Sequence, residues 1–222
     1  MMYRAAVFDL DGTLLNTLAD LTDSGNELLA SYGRPPHTEQ EFRYFVGNGW
    51  RKLMERLLPG EPPERIDEAL SRYRAIYEKC LTGKTKPYDG ILDMLTALRA
   101  RGVRLAVCTN KHISAAEALI QKYFPAGLLD AVEGDRPGVP RKPDPAHVRI
   151  LLEKLGVTPE ETVYLGDSGV DMQTAKNAGV LPVGVLWGFR EKDELLENGA
   201  KVLLLHPSEL LGKVDFWKKE GR

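Results

Sequence analysis

Cysteine is scarce: Cys80 and Cys108 are the only two in 222 residues. A secreted domain held by a disulfide framework would carry more. The two thiols therefore read as small apolar fillers in a reducing compartment, and no neighbouring pattern supplies the base a catalytic thiol needs. An excess of one charge is also missing. Lys and Arg number 30 against 32 Asp and Glu, for a net charge of −2. That lacks the basic surplus of nucleic-acid binders, so no nucleic-acid partner is expected. Nor is there a long apolar run. The opening MMYRAAVFDLDGTLL is broken by Asp9 and Asp11, too soon for a signal peptide or a bilayer span. No membrane partner is expected, and the cytoplasm is the expected compartment. His37, His112, His147 and His206 are scattered without metal-ligand spacing. No internal repeat or low-complexity tract is present.

What the chain does have is ordinary globular material, with 43% hydrophobic and 28% charged residues. A chain of this length buries a core without a metal or disulfide staple. It suits one large domain, or a main domain with a smaller insert.

Short apolar runs lie at Ala5 to Phe8, Val103 to Cys108, Thr162 to Leu165, Leu181 to Val185 and Val202 to Leu204. They lack alternation, as parallel strands covered on both faces do. Helical patterns fall between them. Ile91, Leu92, Leu95 and Leu98 share one helix face. Ser114 to Glu117 and Thr158 to Glu161 have capping-box spacing; the first predicts a helix to about Tyr123, the second only a short turn before the next strand. Gly179 suits the left-handed residue that ends a helix. Strands alternating with helices predict an α/β fold with a doubly wound, Rossmann-like parallel sheet.

One stretch breaks the alternation. From Thr17 to Leu81 four helical patterns run without a strand: Leu18 to Leu29, a segment capped at Thr38 to Glu41, Trp50 to Leu58, and Glu64 to Lys79. They predict a helical cap, residues 16–82, inserted after the first strand. Residues 1–15 and 83–222 then form the core, with hinges near Leu15-Asn16 and Thr82-Gly83. The tail from Phe216 to Arg222 reads as a solvated end.

Four signals carry chemistry. Asp9 and Asp11 follow the first strand, where ligands of open parallel sheets bind; strict alternation would send them to opposite faces, but the Gly12 turn can re-aim them. Asp167 ends the Thr162 strand, with Asp171 one helical turn on. Acids gathered there repel one another, and a hard cation such as Mg²⁺ suits their oxygens. Thr109 and Asn110 end the Val103 strand, where a hydroxyl and N–H groups at a helix start suit a phosphate. Lys142 sits in the loop Arg141-Lys142-Pro143-Asp144-Pro145, fixed by its prolines and offering a positive charge. Each residue also has a plainer reading: Asp171 as a helix-start acid, Thr109 as a cap, Lys142 and Arg141 as surface cations. Trp187-Gly188-Phe189 reads as a packed loop able to border a pocket.

Three lookalikes fail on context. Gly166-Asp167-Ser168-Gly169 resembles a serine-protease nucleophile segment but lies between a strand and a helix. Gly83-Lys84-Thr85 lacks the earlier glycine of a P-loop, since position 78 is Glu78. Gly47-Asn48-Gly49 follows a helix and lacks the third glycine of a dinucleotide fingerprint.

In order and context the four signals, DxDGT at Asp9, Thr109-Asn110, Lys142-Pro143 and GDxxxD at Asp167, resemble the haloacid dehalogenase superfamily, in its capped phosphatase branch. The resemblance spans nearly the whole chain. It implies that Asp9 attacks phosphorus to form an aspartyl-phosphate and that Asp11 serves as acid and then base. Thr109, the Asn110 amide and Lys142 would hold the phosphoryl oxygens. Mg²⁺ would be bound by Asp9, Asp167 and the Asp11 carbonyl, with Asp171 orienting the site. Arg43, Gly47, Asn48, Gly49 and Trp50 of the cap are the first candidates for reading the substrate. That substrate would be a small phosphorylated metabolite, phosphoglycolate foremost; other small phosphate esters, pyrophosphate and a nucleotide monophosphate stay open. A monomer or homodimer is expected. Competing readings are carbon–halogen hydrolysis, which needs no Asp11; a phosphosugar mutase; and a binding module without catalysis.

Overall fold

The computed structural model describes residues 2–80 and 83–218. The chain opens with β1 (Ala5–Phe8) and the two-residue β2 (Leu15–Asn16). Four helices follow: α1 (Leu18–Ser31), α2 (Glu39–Phe45), α3 (Trp50–Leu57) and α4 (Pro63–Cys80). Next come β3 (Lys86–Pro87), α5 (Ile91–Ala100), β4 (Arg104–His112), α6 (Ile113–Tyr123), β5 (Ala131–Asp135) and α7 (Ala146–Leu155). The chain continues through β6 (Thr162–Gly166), α8 (Gly169–Ala178), β7 (Leu181–Val185), α9 (Lys192–Glu197), β8 (Val202–Leu204) and α10 (Leu210–Lys213). No helix among the described residues is long and apolar enough to cross a membrane.

Six strands form one sheet in the order β5-β4-β1-β6-β7-β8, and every pairing is parallel. Successive side chains of the central strands serve opposite layers. Ala6 and Phe8 of β1, Leu105 and Val107 of β4, and Val163 and Leu165 of β6 pack with α5 and α6. Ala5 and Val7, Ala106 and Cys108, and Tyr164 pack with α7 and α8. This two-sided burial is why the strands read as unbroken apolar runs. It is the predicted doubly wound α/β fold. The topology reverses at β1: the chain first builds outward through β4 to β5, then returns to lay β6 on the other side.

The four helices α1 to α4 make their own apolar cluster, so the insert is a helical cap. In α4 the buried Ile66, Ala69, Tyr73 and Tyr77 recur at helical spacing. In α2 the Thr38–Glu41 capping box forms as the sequence predicts. Ala115 and Phe189 from the core join this cluster and seat the cap. The chain enters and leaves the cap through a narrow neck, where β2 and β3 pair antiparallel. Beside them the buried Asp20 carboxylate of α1 accepts hydrogen bonds from Lys84 N at 2.8 Å, Thr85 N at 2.8 Å and Thr85 Oγ1 at 2.7 Å.

Several expectations need correction. The strand predicted to stop at Cys108 continues to His112, and its register against β5 shifts between Cys108 and His112. Thr109 and Asn110 therefore sit in an irregular strand end, not at a helix start. Ser114 does not cap α6: the helix begins at Ile113 with His112 at its N-cap, and Ser114 Oγ meets His112 Nδ1 at 2.9 Å. β5 has no counterpart among the predicted strands. The tail is pinned: Tyr3 N donates to Asp215 O and Trp217 N to Tyr3 O, both at 2.8 Å, and Phe216 is buried. Thr82, taken as a hinge residue, and tail residues 219–222 lie outside the described residues.

Candidate active site

The register of the sheet assembles the site. Phe8 of β1 lies level with Val107 of β4 and Leu165 of β6. Asp9 is one residue beyond that line, and Thr109 and Asp167 are two beyond, on the flanking strands. Three chain-distant side chains thus reach one rim at the topological switch point, where an open α/β sheet offers its crevice. The Gly12 turn (φ 83°) folds the chain after Asp11, and Asp9 and Asp11 border the same cavity. A methyl group at Gly12 would overlap the Asp167 carboxylate.

Asp9, Asp167 and Asp171 are buried, and each offers an oxygen within 4.8 Å of the others. Each has a different set of partners. Asp171 Oδ1 accepts from Lys142 Nζ at 2.7 Å and Tyr164 Oη at 3.3 Å, while its Oδ2 accepts from Ser168 N and Oγ at 3.1 and 2.6 Å. It is the capping-box acid of α8, so the plainer reading holds for this residue and coexists with its place in the cluster. Asp167 Oδ1 accepts from Thr13 Oγ1 at 3.2 Å and its Oδ2 from Phe189 N at 2.8 Å. Asp9 Oδ1 lies 2.9 Å from Lys142 Nζ, yet no donor is aimed at it in hydrogen-bond geometry. That contact is an ion pair by distance only, and the oxygen stays open to a further ligand.

Burial and crowding set the electrostatics. Burial pushes the Asp9 carboxyl up to about 7; Lys142 opposes the rise, and Asp171 and Asp11 add to it. Asp167 is pushed up to about 8, first by burial and then by Asp171 and Asp9. Burial weakens the Lys142 ammonium, but Asp171 and Asp9 outweigh that and hold it well above the usual lysine range. Crowded, buried carboxylates with an oxygen left open fit a hard divalent cation, which lowers the proton affinity of the oxygens it touches. Cys108 is pushed up to about 12 by burial, which keeps its thiol protonated and inert.

Asn110 stitches three segments together. Its Oδ1 accepts from Lys142 N at 2.9 Å, and its Nδ2 donates to Lys142 O at 3.2 Å and to Gly47 O of the cap at 3.0 Å. Of the cap candidates, Gly47, Gly49 and Trp50 line the cavity bordered by Asp9 and Asp11, with Leu21, Val46 and Leu53. The structure does not bring Arg43 or Asn48 into it. Arg43 donates to Phe189 O at 2.9 Å and Gly188 O at 3.4 Å, and Asn48 Oδ1 accepts from Arg56 at 2.8 Å. Arg141 is ion-paired with Asp135 at 2.7 Å.

Two cations went unread in the sequence. Lys111 Nζ lies 2.9 and 3.0 Å from the two Asp11 oxygens, and Asp11 Oδ1 also accepts from Thr17 Oγ1 at 2.8 Å. Thr109, Asn110 and Lys111 all line the cavity, which a regular strand cannot arrange for three consecutive side chains. The register shift in β4 permits it, and bulges of that kind leave no composition signature. Arg190 borders a second cavity with Asp9, Asp11, Asp167 and Ser168. Its only sequence signal was its place next to the Trp187-Gly188-Phe189 loop.

Fold and site together define a class of protein: a doubly wound α/β sheet whose acids meet at its carboxyl rim, beneath a helical cap. Residues 6–185 match the profile of the haloacid dehalogenase-like hydrolases, and the chain belongs to that family. It is 40% identical over 197 residues to the phosphoglycolate phosphatase of Rhodospirillum rubrum, covering 85% of this chain and 81% of that one. The phosphoglycolate phosphatase of Agrobacterium fabrum is 37% identical over 190 residues, covering 84% and 82%. A provisionally assigned phosphoglycolate phosphatase from Lactobacillus delbrueckii subsp. bulgaricus superposes with a TM-score of 0.90 at 33% identity, over 95% of this chain and 97% of that one. CbbY from Rhodobacter sphaeroides, solved in complex with phosphate, superposes with a TM-score of 0.81 at 27% identity, over 94% and 96%.

Proposed function

We propose that this chain is a Mg²⁺-dependent phosphatase that hydrolyses a small phosphate monoester through an aspartyl-phosphate on Asp9, with phosphoglycolate as the leading substrate. The observation that carries the reading is the meeting of Asp9, Lys142, Asp167 and Asp171 at one rim, beside Thr109 and Asp11. The names of the relatives support the choice of ester. Cytoplasmic residence belongs to the same reading, as does the division into a core of residues 1–15 and 83–222 and a cap of residues 16–82. The separate apolar clusters of the two parts support that division.

Each residue has a task. Asp9 and Asp167, with the Asp11 carbonyl, would hold Mg²⁺. The bound ion would offset charge on the phosphoryl oxygens. The open Asp9 carboxylate attacks phosphorus; a P–O bond forms to Asp9 as the ester P–O bond breaks. Asp11 gives its proton to the departing alkoxide, then takes one from the water that attacks the acyl phosphate. Inorganic phosphate leaves and Asp9 is regenerated. Lys142 and Thr109 donate to the phosphoryl oxygens. Asp171, with its oxygens taken up by four donors, fixes Lys142 rather than reaching the substrate.

The test is release of inorganic phosphate from a panel of small esters, with and without Mg²⁺. Asp9→Asn is expected to abolish release; equal turnover by the variant would reject Asp9 as the nucleophile.

A further inference from the structure

We infer that Lys111 selects substrates whose leaving group carries a carboxylate next to the ester oxygen. The inference rests on the phosphatase reading and adds to it the residue that reads the leaving group. Among the described residues, the cap lines the cavity above Asp9 and Asp11 with Leu21, Val46, Trp50, Leu53 and two glycines, which bring no charge to a leaving group. The cavity is about 30 Å³, room for roughly two or three waters, which limits the leaving group to a few atoms. Among the described residues, one cation in its wall lies outside the phosphoryl cradle. That is Lys111, whose side chain is fully buried.

The surroundings of Lys111 fit a shared anion site. Its Nζ touches both Asp11 oxygens and lies 4.7 Å from the Tyr77 ring centroid. A leaving oxygen that takes its proton from Asp11 must sit beside that same ammonium. In a phosphate ester of a 2-hydroxy acid, the carboxyl carbon is only two bonds from the leaving oxygen. Its carboxylate therefore reaches Lys111 without further movement of the substrate. Lys142 is not available for this, being held by Asp9, Asp171 and Tyr164. Arg190 borders the second cavity, on the Asp167 side, and donates from Nη2 to Val46 O at 2.9 Å.

The test compares kcat/KM for phosphoglycolate and for ethyl phosphate, which replaces the carboxylate by a methyl group, in the Mg²⁺-loaded enzyme. The unaltered enzyme is expected to prefer phosphoglycolate. In K111M that preference is expected to fall roughly ten- to a hundredfold, the loss of one buried charge-assisted hydrogen bond, and K111R is expected to keep part of it. Thermal melting checks that both variants fold. An equal decline on both esters would mean that Lys111 only holds Asp11, and would overturn the inference. So would a preference that survives in K111M and disappears in R190M. If K111M fails to fold, the unaltered enzyme still decides: turnover of ethyl phosphate equal to that of phosphoglycolate overturns the inference while leaving the phosphatase reading intact. No turnover of either ester, or of any other in the panel, sinks both.

Discussion

Asp9 and Asp167 both hold their protons more tightly in the folded chain than their ordinary value of 3.8. Between that value and about 7 to 8, the folded chain binds more protons than the unfolded chain, so stability falls as pH rises through this window. The metal-free protein, kept in chelator, is expected to melt lower at about pH 8.5 than at about pH 5.5, and saturating Mg²⁺ is expected to narrow the gap. A melting series in which the metal-free protein gains stability across that window would contradict the electrostatics of the site. Gly188 makes a second prediction at this scale. A methyl group there would overlap Asp167 and the carbonyl of Gly12. Gly188→Ala is expected to cut kcat by about tenfold or more, as displaced catalytic groups do, and to raise the Mg²⁺ concentration needed for half-activation. An unchanged Mg²⁺ titration would show that the loop can yield.

Among the elements, the strand ends carry the candidate site residues, and they were unevenly legible. Asp9 and Asp167 could be read because each closes an apolar run at a glycine-bearing turn. Lys111 could not, since a register shift is a property of two strands and only one is visible in a local pattern. β5 was hidden for a related reason. It spells Ala131-Val132-Glu133-Gly134-Asp135, with an acid in its centre that looks like loop. Glu133 is nonetheless fully buried, because Lys154 at 2.7 Å and Arg136 at 2.6 Å pair with its charge and His147 Nδ1 lies 3.1 Å away. The cap helices were legible throughout, since helical spacing and a capping box are local. Arg43 shows where local reading stops: its guanidinium is spent on two carbonyls of the loop after β7. The α1 helix carries a testable anchor. Asp20→Ala would strip three donors of their acceptor and is expected to destabilise the protein by roughly 3 kcal/mol, read from urea denaturation. A loss under about 1 kcal/mol, the scale of one ordinary hydrogen bond, would mean that water replaces the carboxylate.

At the scale of the molecule, sheet and cap have separate apolar cores and meet over a cleft lined by both. An ion bound only by the folded chain stabilises it by mass action, about 2.7 kcal/mol at a hundredfold excess over Kd. Mg²⁺ is therefore expected to raise the melting temperature of the unaltered protein and to do so much less for Asp167→Ala; equal shifts would place the ion elsewhere. The neck beneath the cap has a consequence for descent. Because the polypeptide departs from the sheet at Leu15-Asn16 and comes back beside it at Lys86-Pro87, the intervening helices can be exchanged for others of different length or sequence without re-threading a single strand. Such an exchange leaves Asp9, Lys111, Lys142 and Asp167 in place, since all four lie on the sheet side of that neck.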